Sequence, residues 1–535
     1  MIILMFRAPR GTKLLLAILF VAGLFLRVYE LGTLSLSEDE SHKIAAVHSY
    51  LGGDITANAE HPMLMKGLMM ISVGATHLLN RHFNWELSEE GALRFPNAFF
   101  GAATTVPLYY LSASFFGPEI GLLTAAFWST GVNAVSTNRI GKEDTLFVFF
   151  MIPAFYFYRK AKMLGLRDIP KTNRLYTLSG AMFGLQIASK YLPGYIGMNA
   201  LFYYVLKNKR QNQVMPDKSF RLFLSTILVV FCAANVALLF PSVWLYISQY
   251  LREKLLAHHG YQMMGVLYYN IFSKSLHGTP FYYYLLYLVV KSPIPLLILF
   301  IVGLAHAYQH KPGTPRFFLR FLFFWWMIPY SVLGGKWIRY VLPYLPFFYM
   351  TAAVGFAVLI REIRKKTTGQ LSKQFSWVCG VVLVAGLAIQ TFISLPAPSL
   401  FVNAIGGGKN KIAYYFPQDE FYDAGLREAY EYLATHAEKN SVIATDAVAV
   451  FDYYSRKVGR TDLIRTPLIK SNHRFLPQET VYALVHEGNR YFENDSVFQY
   501  LKDTQVPIYV IRVGGFAAVR IYRLSTQDFL QAEKL

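Results

Sequence analysis

The chain has 535 residues, of which 54% are hydrophobic and 16% are charged, and its formal net charge at pH 7 is +20. A composition this apolar excludes an ordinary soluble protein and is typical of a protein that crosses a membrane several times. The excess of Lys and Arg fits either nucleic-acid binding or basic cytoplasmic loops, and the position of the charges decides between them.

Apolar runs recur along the first 395 residues, each long enough, or nearly so, to cross a hydrocarbon core of about 30 Å. The runs are Leu14–Leu31, Arg94–Phe116, Glu119–Asn138, Asp144–Tyr158, Leu175–Ala188, Tyr191–Leu206, Leu222–Leu245, Ser292–Ala307, Phe317–Leu333, Tyr340–Ile360 and Phe375–Leu395. The first run is similar to a signal peptide, but no small-residue cleavage site follows it. We therefore expect about eleven transmembrane helices, the first uncleaved and with Arg27 snorkelling to the membrane surface.

The basic residues concentrate in alternate loops. With the N-terminus in the cytoplasm, the five longer cytoplasmic pieces carry 22 Lys and Arg against only Asp168, Asp217 and Glu362. This pattern obeys the positive-inside rule and predicts the orientation of every span. The net charge is then a consequence of topology. Because no soluble segment carries a basic and aromatic patch, we expect no nucleic-acid partner.

The same alternation assigns residues 32–93 and 246–291 to the outer side. Within the first of these segments Pro62–Leu79 is apolar but interrupted by Lys66 and His77, which predicts an interfacial helix. After Leu395 prolines and glycines form a linker, and Glu420–Lys439 has the pattern of an amphipathic helix. Short strands are predicted at Ser441–Thr445, Thr480–Val485, Pro507–Arg512 and Ala517–Tyr522.

Two domains follow from this division. The sequence predicts an all-α polytopic membrane domain over residues 1–396 and a soluble, extracytoplasmic α/β domain over residues 397–535. An odd number of spans would carry the second domain to the outer side.

Charged residues gather near the predicted outer ends of the spans. The acidic ones are Asp39, Glu40, Glu60 and Asp144, and the basic ones are Lys66, Arg139, Lys190, Lys274, Lys291, Lys336 and Arg339. A carboxylate within reach of a hydroxyl can act as a general base, and Lys or Arg can hold a departing phosphate. Such a set suits the transfer of a group away from a phosphate leaving group.

Four motifs occur in order on this side. They are Asp39-Glu40 after the first span, Glu60-His61-Pro62 with Lys66, Asn138-Arg139 with Asp144, and Gly335-Lys336-Trp337-Ile338-Arg339-Tyr340 before a late span. With this order and spacing, the chain resembles the dolichyl/polyprenyl-phosphate-mannose protein mannosyltransferase superfamily, which includes the bacterial aminoarabinose transferases of lipid A and has the GT-C fold. One departure is His61-Pro62-Met63, which stands where two prolines are common. The stretch 415–423 also resembles the outer domains of bacterial members.

The resemblance implies a role for each outer residue. Asp39 would be the catalytic base and Glu40 its neighbour in the acidic pair. The implied donor-phosphate ligands are Arg139, Lys190, Lys336 and Arg339, and the implied pocket-lining residues are His61, Lys66, Tyr340 and Tyr344. If a divalent metal takes part as cofactor, Glu60 and Asp144 are the available carboxylates.

The function implied is inverting transfer of a sugar, mannose-like or aminoarabinose-like, from a polyprenyl-phosphate donor to a hydroxyl on protein, lipid A or another glycan. The protein would be a multi-pass protein of the plasma (inner) membrane, with its active site outside. Simpler readings remain open for single residues. Asp39 could be a solvated loop charge, Glu40 could be structural, and Glu60 could cap a helix. Arg139 could anchor a span at the headgroups, and for Lys142 an anchor is the favoured interpretation. The rival function is a transporter or lipid flippase.

Overall fold

The computed structural model describes residues 10–190, 215–253, 260–271, 276–308, 324, 327–366, 373–469 and 479–534. The predicted span Tyr191–Leu206, most of the predicted span Phe317–Leu333, and Lys274 lie outside the described residues. The first part of the chain is helical throughout. Its helices are α1 Arg10–Val28, α2 Glu38–Leu51, α3 Met63–Phe83, α4 Glu89–Ala103, α5 Thr105–Phe116, α6 Pro118–Thr130, α7 Val132–Asn138, α8 Asp144–Leu164 and α9 Ile169–Ser189.

The middle of the chain adds further helices and one antiparallel hairpin. The helices are α10 Asp217–Ala234, α11 Pro241–Glu253, α12 Tyr283–Lys291, α13 Ile294–Tyr308, α14 Leu345–Lys366 and α15 Lys373–Ile393. The hairpin pairs β1 Tyr261–Met263 with β2 Val266–Tyr268. A 3₁₀ helix over Ile338–Tyr344 leads directly into α14 and holds Arg339 and Tyr340.

Two predicted spans are interrupted. The run Arg94–Phe116 divides into α4 and α5 at Thr104, whose hydroxyl donates to the carbonyl oxygen of Phe100, a bond that often bends a helix. The run Glu119–Asn138 divides into α6 and α7 at Gly131. A Cβ atom there would lie 2.4 Å from the Tyr349 hydroxyl, so only glycine fits this approach.

Three helices among the described residues are both long and apolar enough to cross a membrane, over Gly11–Val28, Ile338–Lys365 and Gln374–Ile393, and a shorter apolar helix runs over Ile294–Tyr308. The first and last of these expose apolar side chains such as Val21 and Val382, as a lipid-facing helix does. The expected total of about eleven spans stays a prediction.

Residues 397–534, here called the C-terminal region, contain a five-stranded mixed sheet in the order β4-β3-β5-β7-β6. The strands are β3 Val442–Ala444, β4 Ile464–Thr466, β5 Thr480–His486, β6 Tyr509–Val513 and β7 Phe516–Ser525. The helices are α16 Pro417–Phe421, α17 Leu426–His436, α18 Val448–Lys457, α19 Asp495–Thr504 and α20 Thr526–Glu533. The four predicted strands are confirmed, whereas β4 and α18 were not predicted. The domain boundary at residue 396 stays a prediction.

The sheet is mixed because it contains both parallel and antiparallel strand pairs. β3 runs parallel to both β4 and β5, whereas β5 and β7 pair antiparallel with Thr480 opposite Ser525 and His486 opposite Val519. The central strand β5 is buried along nearly its whole length. The helix predicted over Glu420–Lys439 is two helices, because the left-handed residues Tyr422, Asp423 and Gly425 end the first one.

The prediction that Arg27 snorkels to the surface is wrong. Its guanidinium is fully buried, and it donates to the carbonyl oxygens of Trp128 and Ser129 at 3.0 Å and to Asn138 Oδ1 at 3.1 Å. Both carbonyls belong to the last turn of α6, where the break at Gly131 removes their helical partners. Arg27 therefore supplies hydrogen-bond donors to carbonyl oxygens that lose their helical partners at the break in α6.

Replacing Arg27 by Leu should lower the free energy of unfolding by about 2 kcal/mol or more, because buried carbonyl oxygens lose their donors. Thermal unfolding in detergent measures this change. The matched control is Lys218→Leu, which removes an exposed cation from the first turn of α10. Equal unfolding temperatures for the two variants would contradict the structural role of Arg27.

Candidate active site

Asp39 lies in the first turn of α2, and the local sequence explains why the helix begins there. The hydroxyl of Ser37 accepts the N–H of Glu40 at 3.2 Å, and the Glu40 carboxylate accepts the N–H of Ser37 at 3.0 Å. This reciprocal capping box fixes the start of the helix. Acidic side chains are favourable in this turn because the helix dipole is positive there.

Glu40 has structural partners. It is fully buried, and Arg94 of α4 donates to its two carboxylate oxygens at 2.8 and 2.7 Å. The N–H of Gly141 donates to the same group at 2.7 Å. Burial alone would raise the pKa of Glu40, but Arg94 outweighs burial and holds that pKa below its usual value. We therefore assign Glu40 to the packing of α2 against α4, and its predicted place in catalysis gains no support.

Asp39 is bracketed by two cations. Its Oδ2 atom lies 2.5 Å from Nζ of Lys142 and 3.5 Å from a guanidinium nitrogen of Arg339. Both cationic side chains are largely buried, whereas the Asp39 side chain keeps 40% of its surface exposed. Burial would raise the pKa of Asp39, but Lys142 and Arg339 hold it well below its usual value. Burial also lowers the pKa of Lys142 to about 8, although Asp39 opposes the change.

Lys142 was interpreted from the sequence as a headgroup anchor, and the structure contradicts that interpretation. Its side chain is 5% exposed and turns towards Asp39. The loop before α8 is held in place because Asn97 of α4 donates to the Lys142 carbonyl oxygen. Gly141 permits the close packing of this loop, since a Cβ atom there would lie 3.2 Å from Glu40 Oε1.

A second ion pair extends the site. Lys190 at the end of α9 lies 2.5 Å from Asp144 Oδ1, and its ammonium group stands 4.5 Å from the centre of the Tyr340 ring. The guanidinium of Arg339 stands 5.4 Å from the same ring. These contacts join the two pairs into one group, the Asp39 cluster, which comprises Asp39, Lys142, Arg339, Tyr340, Lys190 and Asp144.

A third ion pair lies next to the cluster, because its carboxylate belongs to the residue between two members of the cluster in sequence. Glu143, between Lys142 and Asp144, is buried and pairs with Lys43 of α2. His61 Nδ1 lies 3.5 Å from the same carboxylate. Burial would raise the pKa of Glu143, but His61 and Lys43 hold it well below its usual value. The predicted pocket residue His61 is therefore next to the cluster.

Two predicted phosphate ligands have other partners. Arg139 donates to the carbonyl oxygens of Leu26 and Arg27 in the last turn of α1, of Tyr29 and Glu30 just after it, and of Pro396. Lys336 is buried and donates to the carbonyl oxygens of Thr279, at 2.6 Å, and Leu333. Both cations satisfy backbone carbonyl oxygens, so their phosphate role stays a prediction without supporting contacts.

The remaining predicted residues have partners outside the Asp39 cluster. Lys66 donates to the carbonyl oxygens of Ala57 and Asn58, and Tyr344 packs edge-to-face on Tyr284. Glu60 accepts from the Asn58 amide at 2.6 Å. The predicted pocket-lining role of Lys66 and Tyr344 stays a prediction.

A metal centre at Glu60 and Asp144 does not follow from the described contacts. Asp144 takes Lys190 as its partner and Glu60 takes the Asn58 amide. In the described part of the chain, no three side chains of His, Cys, Asp or Glu come together as a metal site would need. A divalent metal stays a prediction, and no step below depends on one.

Tyr422, from the C-terminal region, completes the contacts of Asp39. Its hydroxyl donates to Asp39 Oδ2 at 3.3 Å. Tyr422 and Arg339 also line a small cavity of about 20 Å³, which has room for about one water molecule.

The chain is similar in sequence or fold to several known proteins. Residues 83–238 match the family model described as dolichyl-phosphate-mannose-protein mannosyltransferase. The apo structure of ArnT from Cupriavidus metallidurans aligns with 94% of this chain and 97% of its own at 12% identity, with a TM-score of 0.53. The oligosaccharyltransferase AglB from Archaeoglobus fulgidus, in complex with an inhibitory peptide and a dolichol-phosphate, aligns with 89% of this chain and 69% of its own at 13% identity, with a TM-score of 0.52. A search of curated proteins found no match.

The chain has the fold of the GT-C glycosyltransferases. The resemblance to the mannosyltransferase superfamily is thereby confirmed, by the family model over residues 83–238 and by the fold over most of the chain. At these identities the similarity to solved structures shows the fold alone. The roles of single residues therefore rest on the contacts described above.

The substitution Glu40→Gln should lower the free energy of unfolding by about 3 kcal/mol near neutral pH, because Arg94 then remains buried without its ionic partner. Because the pKa of Glu40 is lower in the folded protein than in the unfolded chain, ionised Glu40 stabilises the fold. This stabilisation is complete above the unfolded-state pKa of about 4.5 and is lost as the pH falls through the folded-state pKa. The deficit should therefore shrink in acid. Thermal unfolding at several pH values measures it, with the exposed Glu86→Gln as control. A deficit independent of pH would contradict the assignment.

Lys142 and Lys336 should respond differently to replacement by Gln. Lys142→Gln should weaken binding of a polyprenyl phosphate, the donor lipid that the sequence resemblance implies, about tenfold or more, since it removes a cation beside Asp39. Lys336→Gln should lower the unfolding temperature and leave the affinity of the folded protein unchanged. Ligand-induced thermal stabilisation in detergent measures both affinities. The reverse pattern would restore Lys336 as the phosphate ligand.

Proposed function

We propose that the protein transfers a sugar from a polyprenyl-phosphate donor to a hydroxyl acceptor, with Asp39 as the general base. The observation that carries the proposal is the arrangement of Asp39, which touches the cations Lys142 and Arg339 and yet keeps 40% of its side chain exposed. An accessible carboxylate beside two cations is what a base needs when the leaving group is an anionic phosphate.

Charge balance supports a monophosphate donor. The Asp39 cluster and the Lys43–Glu143 pair together contain four cationic side chains and three carboxylates, which leaves one positive charge. A sugar linked to a polyprenol through one phosphate is a phosphodiester with one negative charge. Binding of that donor would make the site neutral, and Lys142 and Arg339 are the cations closest to the base.

The reaction follows from these positions. The acceptor hydroxyl gives its proton to Asp39 as its oxygen forms a bond to the anomeric carbon. The bond between that carbon and the phosphate oxygen breaks, and its electron pair leaves with the polyprenyl phosphate. Lys142 and Arg339 would stabilise the added negative charge on the phosphate. Attack opposite the leaving group inverts the configuration of the sugar.

Donor binding also prepares the base. In the free protein Lys142 and Arg339 hold the pKa of Asp39 well below its usual value, which makes Asp39 a weak base. A phosphate anion would attract the same two cations away from Asp39. The proton affinity of the carboxylate would then rise only when the donor is bound, so proton abstraction is coupled to the presence of the substrate.

The sugar is proposed to be either mannose-like or aminoarabinose-like, and the acceptor a hydroxyl of protein, lipid A or another glycan. The positive-inside pattern supports an extracytoplasmic active site in the plasma (inner) membrane. The dolichol-phosphate and peptide described with AglB belong to that protein, and they agree with a lipid-phosphate donor. A transporter or flippase has no observation in its favour.

Asp39→Asn should reduce transfer by about 10²–10⁴-fold while leaving the unfolding temperature close to that of the wild type. Mass spectrometry of lipids and proteins from membranes with and without the chain identifies the transferred sugar, which is then assayed with its undecaprenyl-phosphate donor. The matched control is Asp54→Asn, an exposed acid of the same segment that bonds only to Thr56 in the described contacts. Transfer that survives Asp39→Asn would reject this base.

A further inference from the structure

The C-terminal region is bonded directly to the residues that precede Asp39. The Ser35 hydroxyl donates to the carbonyl oxygen of Asp423 at 2.8 Å, and the N–H of Glu38 donates to Asp423 Oδ2 at 2.8 Å. The N–H of Leu36 donates to the hydroxyl of Tyr454 at 2.8 Å. Three contacts thus hold the start of α2 against parts of the chain that lie 385 to 418 residues later.

Glu38 strengthens this junction. Its carboxylate accepts the N–H of Ala449 at 3.0 Å and that of Val450 at 3.4 Å, at the beginning of α18. Free N–H groups at a helix start are favourable partners for an anion. The C-terminal region therefore fixes the position of the first turn of α2, and this turn includes Asp39.

Tyr422 reaches Asp39 because of an unusual backbone turn. Tyr422 and Asp423 have φ values of 50° and 61°, in the left-handed region that residues with a side chain rarely adopt. The turn ends α16 and directs the Tyr422 hydroxyl to Asp39 Oδ2 at 3.3 Å. The bonds of Asp423 to Ser35 and Glu38 hold the same turn from the other side.

We propose that Tyr422 is a positioning residue of the active site, supplied by the C-terminal region, whose hydroxyl orients the Asp39 carboxylate and favours its ionised form. The inference rests on the proposed function of Asp39 as base. A hydroxyl that donates to a carboxylate stabilises the charged state more than the neutral one. The hydroxyl also keeps one carboxylate oxygen engaged while Lys142 and Arg339 turn to the donor phosphate.

Other charged groups also act on Asp39 and must be unchanged in the test. They are the cations Lys142, Arg339 and Lys43, the imidazoles of His42 and His61, the carboxylate of Glu38 and the hydroxyl of Tyr250. Because Tyr422→Phe alters none of these groups, a change in pH dependence after that substitution reports the lost hydroxyl.

The experiment compares Tyr422→Phe with wild type in the full-length protein in detergent, using the undecaprenyl-phosphate sugar identified from the membranes. We expect the acidic limb of the kcat profile, which reports Asp39 in the donor complex, to move upward by about 0.5 pH unit or more, because Asp39 loses a donor to its ionised form. At a pH on that limb, kcat should fall about threefold or more, with little change in the donor KM. The unfolding temperature should stay within a few degrees of wild type.

The control is Tyr414→Phe, which removes an exposed hydroxyl eight residues earlier and should change neither kcat nor the pH profile. Wild-type kinetics in Tyr422→Phe would overturn the positioning role and leave the proposed function intact. Loss of folded Tyr422→Phe protein would also overturn it, since a hydroxyl that only orients a carboxylate is not needed for folding. Activity that survives Asp39→Asn marks failure of the proposed function itself.

Discussion

The carboxylate of Asp39 lies between two cations, and the rest of the site depends on keeping these three charges together. Water screens these attractions in part, because 40% of the Asp39 side chain is exposed. A phosphate anion could replace Asp39 as the partner of the two cations, whereas a neutral molecule could not.

Interrupted helices bring the charges to one place. The break at Gly131 frees backbone carbonyls of α6, and the buried Arg27 donates to them. The buried Lys336 also donates to backbone carbonyls, those of Thr279 and Leu333. The cations of the Asp39 cluster have side-chain carboxylates as partners instead. Cations at the ends of apolar helices therefore fall into two groups. One group donates to backbone carbonyls, and the other pairs with carboxylates, whose place an anionic ligand could take.

The sequence pattern predicted the helical GT-C fold class, four strands of the C-terminal sheet and part of the site. Asp39 follows the first apolar run and Arg339 precedes a late one, and order along the chain predicted both. Arg139 and Lys336 occupy equivalent positions in sequence, and only their carbonyl partners distinguish them from phosphate ligands. Lys142 looked like an anchor because its burial depends on Asn97 and Glu40, which are distant in sequence. The resemblance of residues 415–423 to other outer domains was the one signal pointing to Tyr422.

The junction between the start of α2 and the C-terminal region has a consequence for biosynthesis. Asp39 and Tyr422 are separated by 383 positions, so the ribosome must translate most of the polypeptide before the two can meet. Until then Asp39 lacks its contact with Tyr422. The surroundings of Asp39 are therefore complete only after the C-terminal region, roughly the last quarter of the chain, has been synthesised and has folded.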